Sequence, residues 1–195
     1  MQKIIVATGN QGKLSEIKEI LVDCNFDLSS LKDHFSPIPQ IPETGSTFLE
    51  NARIKADWVF EKTGIWSLAD DSGLEVDALN GAPGVWSARF AGEECSSEEN
   101  NQKLLRLLGD SPFEARTARF RCVIVLKTGK DSYLSTEGVC EGKIGFMPEG
   151  SEGFGYDPLF YPEGYDCTFA QLDSAEKNAI SHRGKALKKL RESLK

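Results

Sequence analysis

KIIVATGNQGKLSEIKEILV, residues 3–22, holds the transition that decides the fold class. Lys3 to Thr8 is a short apolar run bounded by turn residues, the pattern of a buried strand. From Gly12 the spacing changes, and Leu14, Ile17, Ile20 and Leu21 recur at helical intervals up to Val22. A strand that passes through a glycine-bearing turn into a helix is a building unit of α/β proteins. The turn itself, Thr8-Gly9-Asn10-Gln11-Gly12-Lys13, combines the parts of a phosphate cradle: free N–H groups at a helix start, glycines that make room, and one lysine as a point charge. It is not a Walker A loop, because the GxxxxGK[ST] spacing is absent and Leu14 follows the lysine.

The alternation continues along the chain, which predicts a mixed α/β fold with helices on the faces of a sheet. Thr47 to Lys62 reads as a helix with Thr47 as N-cap, Glu50 as capping partner and Gly64 as stop. Ile65 to Asp70 reads as a short strand, and Leu74 to Leu79 alternates inward and outward. Ser96 and Glu99 open a helix that Gly109 closes. Residues 115–127 and 132–140 form a long predicted hairpin across Thr128, Gly129 and Lys130. That hairpin set against shorter strands suggests two lobes of a single domain, 1–195, with a ligand cleft between them.

Composition narrows the function. Of 195 residues, 39% are apolar and 18 are glycine, the share of a globular protein. Lys and Arg total 23 against 30 Asp and Glu, a net charge of −7, the wrong sign for gripping a nucleic-acid polymer through its phosphates. Yet residues 174–195 carry seven basic and two acidic side chains, a local +5 that leaves −12 on the rest. Cysteines 24, 95, 122, 140 and 167 lie at least 18 residues apart, and the only histidines are His34 and His182. That spacing argues against a zinc site or a disulfide framework and for a reduced, cytoplasmic protein. The central apolar run, Cys122 to Leu126, is far too short to cross a membrane.

Three further segments carry chemistry. Asp70-Asp71-Ser72-Gly73 places adjacent carboxylates where a strand is expected to meet a turn; hard oxygen ligands suit Mg²⁺, and a carboxylate beside that metal can take a proton from an attacking water. An Asx turn is the plainer reading of the same four residues. Glu43 supplies another carboxylate just before the second helix. Residues 138–155 hold six glycines in 18 positions, and the segment ends in Gly153-Phe154-Gly155-Tyr156-Asp157-Pro158. There an aromatic face can meet a base while the carboxylate accepts a base N–H. Lys177 and Arg183 would point about 240° apart on one continuous helix, so a break with Ser181 as N-cap is expected, bringing His182 and Arg183 into a new first turn.

Taken together, five collinear blocks resemble the inosine/xanthosine triphosphate pyrophosphatases: TGNQGKLSE at 8–16, ETGSTFLENARIKA at 43–56, ADDSGLEVDALNGAPGVWSARFAG at 69–92, GFGYDPLF at 153–160 and EKNAISHRGKAL at 176–187. Trp86 stands where tyrosine is more usual, and residues 24–42 are not diagnostic. The resemblance implies a two-lobed, homodimeric mixed α/β enzyme with an elongated central sheet. It implies Mg²⁺-dependent cleavage of ITP, dITP or XTP between the α and β phosphates, yielding a monophosphate and pyrophosphate and so cleansing the nucleotide pool. By motif, Thr8, Gly9, Asn10, Gln11, Gly12 and Lys13 hold the triphosphate. Asp71 is the proton acceptor and a metal ligand, with Glu43 assisting the metal. Ser72, Phe154, Gly155, Tyr156, Asp157, Lys177, His182 and Arg183 contact substrate.

Donors from Lys177 or Arg183 would satisfy the 6-oxo group of hypoxanthine or xanthine and oppose the 6-amino group of adenine. Two rivals remain at this level. One is a pyrophosphatase for other modified nucleotides on a related septum-inhibitor-type fold, which needs different motifs. The other is a nucleotide-binding regulator without turnover, which has no need of the Lys13, Asp70 and Asp71 constellation.

Overall fold

The computed structural model describes residues 1–194. Among them six strands are ordered β2-β1-β3-β4-β5-β6 in one sheet: β1 Gln2–Val6, β2 Phe26–Ser30, β3 Trp66–Val76, β4 Thr117–Gly129, β5 Ser132–Ile144 and β6 Phe160–Pro162. Parallel pairing joins β1 to both β2 and β3, whereas β5 and β6 pair antiparallel, so the sheet is mixed as the alternating pattern predicts. Among the described residues five α-helices accompany it: α1 Gln11–Ile20, α2 Phe48–Thr63, α3 Ser97–Leu108, α4 Ser174–Ile180 and α5 His182–Ser193. No helix among the described residues is long and apolar enough to cross a membrane.

Local sequence accounts for most helix ends. Thr47 Oγ1 accepts the Glu50 amide while Glu50 Oε2 accepts the Thr47 amide, both at 3.2 Å, and Gly64 closes α2 in the left-handed region at φ 66°. Ser96 and Glu99 exchange the same reciprocal bonds at the start of α3. Such a cap is worth about 1 kcal/mol. Ser181 is extended, with φ −67° and ψ 159°, and separates α4 from α5 where the break is expected.

Two features differ from the sequence reading. Residues 24–42 contain a strand, β2, that lies at the sheet edge with only Ser30 buried, so its sequence FDLSS carries little alternation. Asp70-Asp71-Ser72-Gly73 is not a turn after a strand; it lies inside β3. Turn preference yields there because Leu68 and Ala69 on one side, and Leu74 and Val76 on the other, are all fully buried. At about 1.5–3 kcal/mol for each large apolar side chain, that burial outweighs a local turn propensity.

The chain divides into two compact units. The first comprises Met1–Asp71, Cys122–Gly138 and the stretch from Arg183; its core gathers Ile4, Val6, Leu14, Ile17, Leu68, Ile124 and Leu187. The second comprises Ser72–Arg121 and Val139–His182, with a core of Leu74, Leu104, Leu108, Phe120, Leu159, Phe160 and Phe169. Buried charged side chains lie in both, Asp70, Asp71 and Arg183 in the first and Asp157 and Lys177 in the second.

Candidate active site

In the first unit, β1 delivers its chain into the turn before α1. The Ala7 amide still bonds Leu68 O at 2.8 Å, and then Asn10, the N-cap, accepts the Lys13 amide at 3.1 Å. Gly9, Asn10 and Gln11 are exposed, while Thr8, Gly12 and Lys13 are half-buried. A Cβ built at Gly9 would meet nothing within 4 Å, so packing inside the chain does not demand glycine there.

Lys13 Nζ lies 3.2 Å from Asp70 Oδ2. Arg183, at the start of α5, reaches the same oxygen through Nη2 at 3.0 Å and Nε at 3.3 Å, and its Nη1 pairs with Glu16 of α1. Burial alone would raise the Asp70 carboxyl, but Lys13 and Arg183 overcome it and hold it far below the usual carboxylate range.

Asp71 follows Asp70 in an extended strand, so its side chain leaves the opposite face and meets α2. Lys55 Nζ donates to Asp71 Oδ1 at 2.9 Å and to Glu43 Oε1 at 2.6 Å. Asn51 Nδ2 donates to Asp71 Oδ2 at 3.3 Å, while Asn51 Oδ1 accepts the Gly45 amide at 2.8 Å. Asn51 and Lys55 are four residues apart on α2 and therefore share a face. Burial pushes the Asp71 carboxyl up, and Lys55 and Lys13 offset this only in part. A buried carboxylate of raised basicity, oriented by a lysine and an amide, is suited to accept a proton from water.

The second unit holds the aromatic loop. Asp157, buried just before Pro158, accepts the Phe154 amide at 2.8 Å and Lys177 Nζ at 2.7 Å through the same oxygen, Oδ2. Gly153 has φ 75°, and a Cβ there would stand 2.2 Å from Asp157 Oδ2, so glycine is required twice over. Lys177 Nζ lies 5.0 Å from the Phe154 ring centroid. Tyr156 is buried and donates through its hydroxyl to Ser87 O at 2.8 Å. His182 stacks on Phe120 with centroids 4.7 Å apart, and Ser72 is half-buried in β3.

The profile of the Ham1 family matches residues 4–193. The chain belongs to the Ham1 family. A dITP/XTP pyrophosphatase of Desulforamulus reducens is 52% identical over 192 residues, covering 98% of this chain and 95% of that protein. The dITP/XTP pyrophosphatase of Vibrio cholerae is 50% identical, covering 97% and 95%. Among solved structures, a HAM1 protein from Coxiella burnetii superposes with a TM-score of 0.88 at 47% identity, covering 100% of this chain and 98% of the other.

For this Ham1 protein the structure sets Lys13 and Arg183 around Asp70, and Glu43 and Asp71 around Lys55, in the first unit, and brings Phe154, Asp157 and Lys177 together in the second. The described ion pairs of Arg183 are with Asp70 and Glu16, whereas that of Lys177 is with Asp157. Lys55, Asn51 and Glu16 are functional candidates that the sequence reading passed over. All three lie within the quoted blocks, and the i, i+4 spacing of Asn51 and Lys55 beside an isolated glutamate was the available signal.

The carboxylates also set the pH response. Because Asp70 is depressed on folding, its contribution to stability is full above its unfolded value near 3.8 and is lost as pH falls through the lower folded value. Asp71 acts in the opposite sense: its contribution is present below its unfolded value and is lost as pH rises through the raised folded one. The shift at Asp70 is the larger. The urea midpoint should therefore drop as pH falls below about 4, and less so in Asp70→Asn; an unchanged acid limb in that variant would contradict the assignment.

Proposed function

We propose that this chain hydrolyses ITP, dITP and XTP to the nucleoside monophosphate and pyrophosphate. The observation that carries the reading is Asp71, buried, raised in basicity and held by Lys55, on the residue next to an Asp70 that fixes Lys13 beside the turn leading into α1. The names of relatives at about half identity over nearly the whole chain support it. Asp71 accepts the proton of the attacking water. Lys13 neutralises phosphate oxygens, and the exposed Gly9, Asn10 and Gln11 of the Thr8–Lys13 turn give phosphate room to approach. Lys55 keeps Asp71 and Glu43 in place between turnovers.

Asp71 and Glu43 both present oxygens to one cationic centre, Lys55 Nζ. Two carboxylates, with water and substrate phosphate as further ligands, fit the donor set that Mg²⁺ takes. Bound there, the ion would offset the charge that develops on the departing pyrophosphate. A homodimer and a cytoplasmic location belong to the same proposal. The first follows the family resemblance, and the second suits the wide spacing of the five cysteines along the sequence.

The direct test incubates the protein with ITP, XTP, GTP and ATP, with Mg²⁺ or with chelator, and resolves pyrophosphate from orthophosphate. Pyrophosphate with IMP from ITP in the presence of Mg²⁺ is expected. Orthophosphate with IDP, or nucleotide binding without turnover, would overturn the reading.

Base choice is assigned to the second unit. Lys177, held by Asp157, donates to the 6-oxo group beside the Phe154 ring, while Arg183 spans Asp70 and Glu16 in the first unit. Lys177→Met should lower the ITP to ATP ratio of kcat/KM by roughly tenfold or more, the scale for an unpaired buried partner. Equal losses on both nucleotides would remove Lys177 from base reading.

A further inference from the structure

Helix α3 buries two consecutive asparagines, Asn100 and Asn101, at 5% and 6% exposure. Asparagine is an indifferent helix former, and a buried amide is costly unless bonded. Asn101 lies on the face of Leu104 and Leu108, three and seven residues on, where both leucines enter the core. A leucine at 101 would suit that face better.

Each amide instead reaches out to a different loop. Asn100 Oδ1 accepts the Ala91 amide at 2.7 Å, and its Nδ2 donates to Ala88 O at 3.2 Å, which fixes the segment after Ser87. Asn101 Nδ2 donates to Gly155 O at 3.1 Å, across 54 residues of chain. Gly155 has φ 64° and lies between Phe154 and Tyr156, and the Tyr156 hydroxyl bonds Ser87 O. The aromatic loop is thus tied to α3 directly through Asn101 and to the Ser87 segment through Tyr156.

Asn101 Oδ1 is buried without a hydrogen-bond partner among the described residues. Turning the amide over would set oxygen against the Gly155 carbonyl, so the contact with Gly155 dictates its orientation and the acceptor is left unsatisfied. A buried acceptor left in this state is destabilising.

We infer that Asn101 is a positioning residue for base recognition: by holding the Gly155 carbonyl it sets the Phe154 ring and the Asp157–Lys177 pair that meet the purine. The inference rests on the base site proposed above. It implies that the side chain affects nucleotide choice without touching nucleotide.

The test measures KM and kcat for ITP and ATP on wild type, Asn101→Leu and Asn101→Asp, with thermal melts for each. Asn101→Leu should melt at or above wild type, raise the ITP KM roughly three- to tenfold, the worth of one lost hydrogen bond, keep kcat within about twofold and lower the ITP to ATP selectivity. Asn101→Asp, which sets a carboxylate against the carbonyl, should be worse on ITP than leucine. If leucine at this position prevents folding, Asn101→Ala carries the same kinetic expectation.

An unchanged ITP KM in a folded variant, or parallel losses on ITP and ATP, would reduce Asn101 to a structural contact while the proposed function stood. Wild-type protein that shows no preferential pyrophosphate release from ITP would overturn the function and this inference with it.

Discussion

Asp71→Asn should lower kcat on ITP by at least about two orders of magnitude, the upper part of the range for a positioned general base, while the protein stays folded. The replacement has the same shape. It removes the basic oxygen and sets an amide group between two donors, Lys55 Nζ and Asn51 Nδ2, which now meet Asp71 at 2.9 and 3.3 Å. One of those donors loses its acceptor, so Lys55 is left more dependent on Glu43. Stability should fall only moderately, because Lys55 keeps Glu43 as an acceptor once the Asp71 carboxylate is gone. Steady-state pyrophosphate release, with a urea melt alongside, separates the two effects. Turnover near wild type would exclude Asp71 as the base, and a collapse in stability would make its role architectural.

The same residue shows what the sequence could and could not convey. Two adjacent aspartates are visible at once; their division of labour is not, because it depends on strand geometry. In a turn, both carboxylates could approach one ligand. Inside β3 they leave opposite faces, so Asp70 joins Lys13 and Arg183 while Asp71 joins Lys55 and Glu43. The helix caps at Thr47 and Ser96 and the break at Ser181 were legible because they rest on bonds within four residues. Asn51, Lys55 and Asn101 were not, since each acts by reaching a segment whose distance in sequence says nothing of its distance in space: Lys55 to Asp71 spans 16 residues and Asn101 to Gly155 spans 54. Strand β2 escaped for another reason, as an edge strand needs little apolar alternation to pair with β1.

Arg183 gives the other large effect, and here the structure divides a pair that the sequence treated as equivalent. The residue is 1% exposed, and its guanidinium is held between Asp70 and Glu16, both buried themselves. Arg183→Met leaves Glu16 without that cation and leaves Asp70 with Lys13 at 3.2 Å. Breaking a buried pair from one side costs about 3–5 kcal/mol, so the urea midpoint should fall steeply at neutral pH. Arg183→Lys should recover only part of the loss, because one ammonium cannot serve two carboxylates with a planar fork. Adding Glu16→Gln to Arg183→Met should restore stability relative to the single variant, since it removes the carboxylate that lost its cation; additive losses would refute the coupling. In the folded fraction, ITP, GTP and ATP should lose rate by a similar factor, because the side chain acts through Asp70 and Lys13 on the phosphate end. A small stability change accompanied by a collapse of ITP over ATP would instead return Arg183 to the purine 6-oxo group, where the sequence alone would have placed it.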